Sequence, residues 1–298
     1  MNITQSAMSK KTRTAAWFDN HASFGLQCIH CRESLKFENQ TLQCENRHSF
    51  DMAKQGYFFL AKKSVDDKYD QHLFAARRTI IQSSPLYQGL HTALLNLLKQ
   101  QRSPLTILDA GCGEGSHLHC LCCSLQEEVT AIAVDLAKTG VQQASDYAGQ
   151  MLPIVADLSR LPIANQQVDV ILSILSPANY QEFKRVLKPG GIVIKVIPNA
   201  QYLVEVRQAL SRVGWTTKED YSNKQIRNVF RDNMTTYNEI PIRYKVNLSE
   251  EQQAALLEMT PLTWQLSPEQ RKQLLSLLSG QITLDVAILV GSFDGITK

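Results

Sequence analysis

Between Leu105 and Ile197 the chain repeats one pattern: a short apolar run, a polar or small terminator, then a mixed helical stretch. Leu105-Thr106-Ile107-Leu108 ends at Asp109, and Val129 to Val134 ends at Asp135. Leu152 to Ala156 ends at Asp157, and Val168 to Leu175 runs up to Ser176-Pro177. Ile192 to Ile197 follows a helix end and the turn Lys188-Pro189-Gly190-Gly191. Apolar runs of this length, with little polar alternation, suit strands buried on both faces of a parallel sheet. Strands alternating with helices predict an α/β chain with a doubly wound, mostly parallel sheet. Further helices are expected from His91 to Gln101, up to Leu210, from Glu250 to Met259 and from Pro268 to Ser279.

Glycines fall at alternate positions after the first run, in Asp109-Ala110-Gly111-Cys112-Gly113-Glu114-Gly115. Glycine tolerates backbone conformations closed to other residues and lets a ligand approach without a Cβ in the way. Asp135 lies roughly twenty residues further on, where a carboxylate can accept two hydrogen bonds from a ribose diol. Together, D-x-G-C-G-E-G, Asp135, Asp157-Leu158 and L-K-P-G-G resemble the class I S-adenosylmethionine-dependent methyltransferases. A nicotinamide enzyme would more often show G-x-G-x-x-G, whereas Ser116 and His117 follow Gly115 here. The resemblance implies a cofactor turn at Asp109, Gly111, Gly113, Glu114 and Gly115, with Asp135 at the ribose and Asp157-Leu158 at the adenine. It also makes Ile240 to Asn247 and Ile282 to Phe293 the final antiparallel strands.

A second motif lies upstream: Cys28-x2-Cys31, then Cys44-x3-His48. Paired soft ligands on tight knuckles each supply two corners of a zinc tetrahedron, and a region this small gains its core from the metal. With all four corners filled by protein the zinc is structural, and His30 inside the first knuckle is a competing ligand. Next come Phe50-Asp51-Met52-Ala53-Lys54-Gln55-Gly56-Tyr57 and Ala76-Arg77-Arg78. This order of motifs is similar to the RlmA-type 23S rRNA (guanine-N1)-methyltransferases, from about Cys28 to the last strand. The resemblance implies methylation of a guanine in a large-subunit RNA hairpin, by an enzyme used as a dimer. It places Tyr87 and Tyr202 near the cofactor, although relatives carry histidine where Tyr202 stands. Arg77 and Arg78 suit either phosphate contact with RNA or a solvated or salt-bridged face.

The implied organisation is an N-terminal extension (1–24), a zinc-binding RNA-recognition module (25–62), a linker with helices (63–103) and the methyltransferase domain (104–298). The extension reads as a loose tail, with Trp17-Phe18 as the candidate for pinning it to the body, and Lys62 to Lys68 as linker. From residue 215 to 240, Lys218, Lys224, Arg227 and Arg231 interleave with Tyr221, Phe230 and Tyr237, which suits either RNA stacking or a solvated edge strand. His117, His119, Cys120, Cys122 and Cys123 read as packing of a buried helix rather than a second metal site.

Composition changes the picture little. The 298 residues are 44% hydrophobic with a net charge of +3, which excludes neither nucleic acid nor a small substrate. No apolar stretch is long enough to span a membrane, and no signal peptide is evident. Seven cysteines without a secretory signature point to a reducing compartment, the cytoplasm. No general base stands out; the strand end from Ser173 to Asn179 offers Ser173, Ser176 and Asn179 for orienting a base. A small-molecule methyltransferase would share every cofactor motif but leave the zinc module idle. A non-catalytic binding module would not need an intact glycine turn.

Overall fold

The computed structural model describes residues 8–63, 70–125, 128–215 and 223–294. The chain begins with helix α1 (Lys10–Asn20), capped by Ser9, whose hydroxyl accepts from the Thr12 amide. A four-stranded antiparallel meander follows: β1 (Leu26–Gln27), β2 (Ser34–Glu38), β3 (Thr41–Cys44) and β4 (Ser49–Asp51). Then come β5 (Phe58–Phe59), α2 (Gln71–Ser83), α3 (Gln88–Leu98), β6 (Leu105–Ala110), α4 (Ser116–Ser124), β7 (Val129–Asp135) and α5 (Lys138–Ala144). The remainder is β8 (Met151–Val155), β9 (Val168–Ile174), α6 (Tyr180–Val186), β10 (Leu187–Pro198), α7 (Val204–Arg212), α8 (Lys224–Asn233), β11 (Thr236–Asn247), α9 (Glu250–Met259), α10 (Pro268–Ser276) and β12 (Gln281–Ser292).

The large sheet has the order β11-β12-β10-β9-β6-β7-β8-β5. β5 to β10 run parallel within it, and β12 and β11 close one edge antiparallel. Every expected parallel strand is present, and so are both final antiparallel ones. β6 lies between β7 and β9, so the chain turns to opposite sides on leaving it, which opens a crevice at the strand ends. Helices α9 and α10 each start with a Ser/Gln capping box, which satisfies amide donors that a helix start leaves unpaired.

Three expectations change. The N-terminal segment is no loose tail: from Lys10 to Asn20 it is a helix, with Trp17 fully buried and Phe18 stacked on Phe37 at 4.1 Å. Arg13 reaches the Asp146 carbonyl and Lys10 pairs with the Asp146 carboxylate, which ties α1 to the far side of the sheet. The division at residue 62 is not a division of the core. Leu26, Leu35 and Leu42 of the meander pack in one cluster with Phe58, Ile132 and Ile171 of the large sheet, and β5 is its edge strand. Finally, Lys224 to Asn233 is a helix rather than an edge strand. Its Phe230 is fully buried against Tyr180, and Arg227 pairs with Glu239. Lys218 and Tyr221, like the end of the expected linker, lie outside the described residues. Among the described residues no helix is long and apolar enough to cross a membrane.

Trp17 tests the first correction. Trp17→Ala removes a buried indole and should cost about 3–5 kcal/mol of stability in chemical denaturation; a loose tail would predict no change.

Candidate functional site

At the carboxyl ends of β6, β7, β9 and β10 lies a cavity of about 610 Å³, within the usual range for a small-molecule site. Its floor is the glycine turn. Gly111 and Gly113 have φ of +86° and +57°, and a Cβ on Gly111 would stand 2.5 Å from the Cβ of Ser176. Only glycine fits where the backbone is left-handed and the neighbouring loop is that close. Asp135 ends β7 with one carboxylate oxygen accepting from the Gly113 amide and the other from the Ala137 amide, each at 2.8 Å. The carboxylate is thus held rigidly, with its remaining lone pairs free for a diol. Asp157 is fixed similarly by the Ser159 amide, beside Leu136, Ala137 and Leu158. Apolar walls with one acceptor at the edge suit an adenine.

At the other end, the hydroxyls of Tyr87 and Tyr202 bond each other at 2.7 Å, and both rings front the cavity. Glu114 is fully buried behind the turn, with Arg77 Nε 3.0 Å from its Oε2, too bent for a regular hydrogen bond. Burial pushes the Asp109 carboxyl up to about 7, at the base of the turn. Tyr87, Gly111, Gly113, Asp135, Asp157, Leu158 and Tyr202 therefore line one cavity, while Asp109, Glu114 and Gly115 support it from behind.

The arginine pair takes up the salt-bridged arrangement. Arg77 fronts the cavity and faces Glu114. Arg78 donates to Asp146 at 2.6 Å and to the Gln143 carbonyl, lying over the Tyr147 ring. Both are engaged in ion pairs within the fold. Asn179 is likewise spent, capping α6 through the Glu182 amide. Sequence reasoning missed Leu73 and Phe74 of α2 and Lys195, and marked Met259 to Trp264 as a motif of the family without a cavity role; all of these but Leu262 and Thr263 line the cavity. Lys195 had a visible signal: a single cation within the apolar run Ile192 to Ile197. His117 and His119 have partners, His91 at 2.8 Å and Gln150 at 2.5 Å, the latter with Tyr147 stacked on its ring.

The ligand atoms of Cys28, Cys31, Cys44 and His48 all lie within 4.8 Å of one another. The His48 Nδ1 is 3.5, 3.5 and 3.4 Å from the three sulfurs, and Cys31 and Cys44 sulfurs are 3.7 Å apart. A tetrahedral zinc with ordinary bond lengths has edges of about 3.6 Å for S–N and about 3.8 Å for S–S, so this donor set fits the ion. Hydrogen bonds, first from Asn46 and then from the Glu33 backbone, pull the Cys31 thiol down to about 6, toward the thiolate that zinc takes. His30 is not among the four and lies parallel to Phe50.

The family profile for the RlmA N-terminal zinc ribbon matches residues 26–61, and that for a methyltransferase domain matches residues 107–191. The chain is 38% identical to YxjB of Bacillus subtilis (strain 168), provisionally named a 23S rRNA (guanine-N1)-methyltransferase, over 89% of this chain and 96% of that one. The chain belongs to this RlmA-type methyltransferase family. A second member, the 23S rRNA (guanine(748)-N1)-methyltransferase of Streptomyces fradiae, is 26% identical over 89% of this chain and 95% of its own. The solved YcgJ protein of Bacillus subtilis superposes with a TM-score of 0.46 at 17% identity, over 69% of this chain and 99% of that one. As in the family, the methyltransferase domain takes S-adenosylmethionine and the ribbon takes zinc.

Two substitutions probe these sites. Asp135→Ala removes a charged acceptor worth roughly 1.5–3 kcal/mol, so calorimetry should find about ten- to a hundredfold weaker S-adenosylmethionine binding. Cys44→Ser should lower zinc from about one ion per chain toward none by elemental analysis; zinc that stays stoichiometric would show the ligand set is wrong.

Proposed function

We propose that the protein transfers a methyl group from S-adenosylmethionine to N1 of a guanine in a hairpin loop of 23S rRNA, in the cytoplasm. The observation that carries this reading is the extent of the likeness to YxjB and the Streptomyces enzyme, which runs across zinc ribbon and methyltransferase domain together. A small-molecule enzyme would have no use for the ribbon.

In this reading Asp135 holds the ribose, Asp157 and Leu158 the adenine, and Tyr87 and Tyr202 the methionine end. When bound, the cofactor supplies an electrophilic methyl on a sulfonium. The chain's own part is to align a guanine at the strand end around Ser176 and Pro177, where a fixed approach replaces a chance encounter. N1 is hidden inside a Watson–Crick pair, so the guanine must be splayed from a loop.

Cations for the RNA lie elsewhere than Arg77 and Arg78. A second cavity of about 430 Å³ shares Leu136 and Asp157 with the first and is lined by exposed Lys62 and Lys63, with Arg160 and the ribbon's Ile29. It supports an RNA path running from ribbon to cofactor.

Incubating the protein with unmodified 23S rRNA fragments should yield 1-methylguanosine on nucleoside analysis. Lys62→Ala with Lys63→Ala should weaken RNA binding and reduce its salt slope by about 0.7–0.9 per lost contact, with cofactor affinity unchanged. No 1-methylguanosine in any fragment, with turnover of a small metabolite, would overturn the reading.

A further inference from the structure

Lys195 sits in the middle of β10 and is 4% exposed. Buried lysines are rare without a paired charge, yet among the described residues no carboxylate is within ion-pair distance of its Nζ. It donates to the Ser176 carbonyl at 2.7 Å and to the Ser173 hydroxyl at 3.1 Å. The Ser173 hydroxyl lies 3.0 Å from the Ser176 hydroxyl, which donates to the Ala110 carbonyl at 2.7 Å. The protein thus offers Nζ two acceptors. An ammonium has three N–H donors and would leave one over; a neutral amine has two, and its lone pair is left to point away from both serines. The side chain fronts the cavity beside Ser176 and Pro177.

We infer that Lys195 is the base that takes the N1 proton of the target guanine. This rests on the guanine-N1 reading above. The amine lone pair forms the new N–H bond, and the former N1–H pair becomes the nucleophile. That pair bonds the methyl carbon, while the carbon–sulfur pair stays on sulfur as the sulfonium becomes a thioether. Lysine gains the positive charge that sulfur loses, so atoms and charge balance.

The other titratable groups at the cavity are Arg77, Tyr87, His117, Asp135, Asp157 and Tyr202. Each is committed: Arg77 to Glu114, the tyrosines to each other, His117 to His91, and both aspartates to backbone amides. Burial is what pulls the Lys195 ammonium down to about 8, so about a tenth is neutral at pH 7. A sulfonium in the same cavity is a like charge and lowers it further.

The test combines titration with kinetics on the full chain. In protein carrying 13C-labelled lysines, one NMR signal should titrate well below the rest and vanish in Lys195→Met. S-adenosylmethionine should move it further down, and the uncharged thioether S-adenosylhomocysteine should move it less. Single-turnover methyl transfer should rise with unit slope and level off below about pH 8, at the lowered pKa of the cofactor-bound lysine. In Lys195→Met it should be about 10²–10⁴-fold slower, without that inflection and with cofactor affinity retained. Methylamine should restore part of the rate to Lys195→Ala. A wild-type rate and inflection in Lys195→Met overturns this inference alone. So does a slower variant that keeps the inflection or loses cofactor binding, because that marks a prop for the 173–177 loop. Wild-type protein that forms no 1-methylguanosine overturns the substrate reading and this inference together.

Discussion

The crossing of two loops at the strand ends governs this molecule's working face. Gly111 can carry no side chain because the Ser176 Cβ fills that space, and the Ser176 hydroxyl is bonded to the Ala110 carbonyl. The turn that receives the cofactor and the loop that faces the substrate are therefore one packed unit. Asp135 extends it on one side through the Gly113 amide, and Lys195 on the other through Ser173 and Ser176. A displacement of either loop would move the ribose acceptor and the substrate wall together. Close packing transmits such shifts rather than absorbing them.

The zinc ribbon is part of the same construction. Arg160 donates to the Ile29 and His30 carbonyls in the first knuckle, and Arg32 donates back to the Leu161 carbonyl. Glu182 gathers Arg32, Arg185 and the Leu161 amide. The segment locked in this way begins at Asp157, proposed above as the acceptor at the adenine end. Metal binding in a small module is coupled to its folding, so the ion's hold on Cys28 and Cys31 also steadies an edge of the cofactor cavity. The ribbon and the catalytic domain are separate motifs but share one core.

Much of this was legible in the residues. The apolar runs named the strands of the parallel sheet, because strands buried on both faces leave little room for polar alternation. The cysteine and histidine spacing named the four ligands, because knuckle geometry is local. What was not legible depends on contacts between distant segments. The sequence leaves Arg77 and Arg78 open between phosphate contact and ion pairing; only packing α2 against the glycine turn and α5 brings them to Glu114 and Asp146. α1 has few apolar residues, and its anchoring by Trp17 needs the pocket that the meander and sheet form together. The edge-strand alternative for the segment from Lys224 to Asn233 gives way to a helix because the helical spacing of Ile226, Phe230 and Arg227 lies among charges that fit either period. Lys195 was visible but passed over, since a lysine within an apolar strand acquires meaning once its neighbours are known.

The charges of the cavity form a consistent whole. Asp135 and Asp157 lie at one end, each carboxylate bonded to backbone amides. Arg77 is balanced by Glu114 behind the turn. Among the described residues Lys195 has no counter-charge, and this fits its assignment, because a carboxylate beside it would hold it protonated and remove its lone pair. A methyl transfer to a neutral base consumes a cation and must place a proton somewhere. With Lys195 as acceptor, the cavity holds the same net charge before and after the step. No charge then has to be created or destroyed in a low-dielectric space, where doing so is costly. The two serine acceptors that hold the amine stay bonded to the ammonium it becomes, whose third N–H is the one gained from the guanine, so the group can change charge without moving.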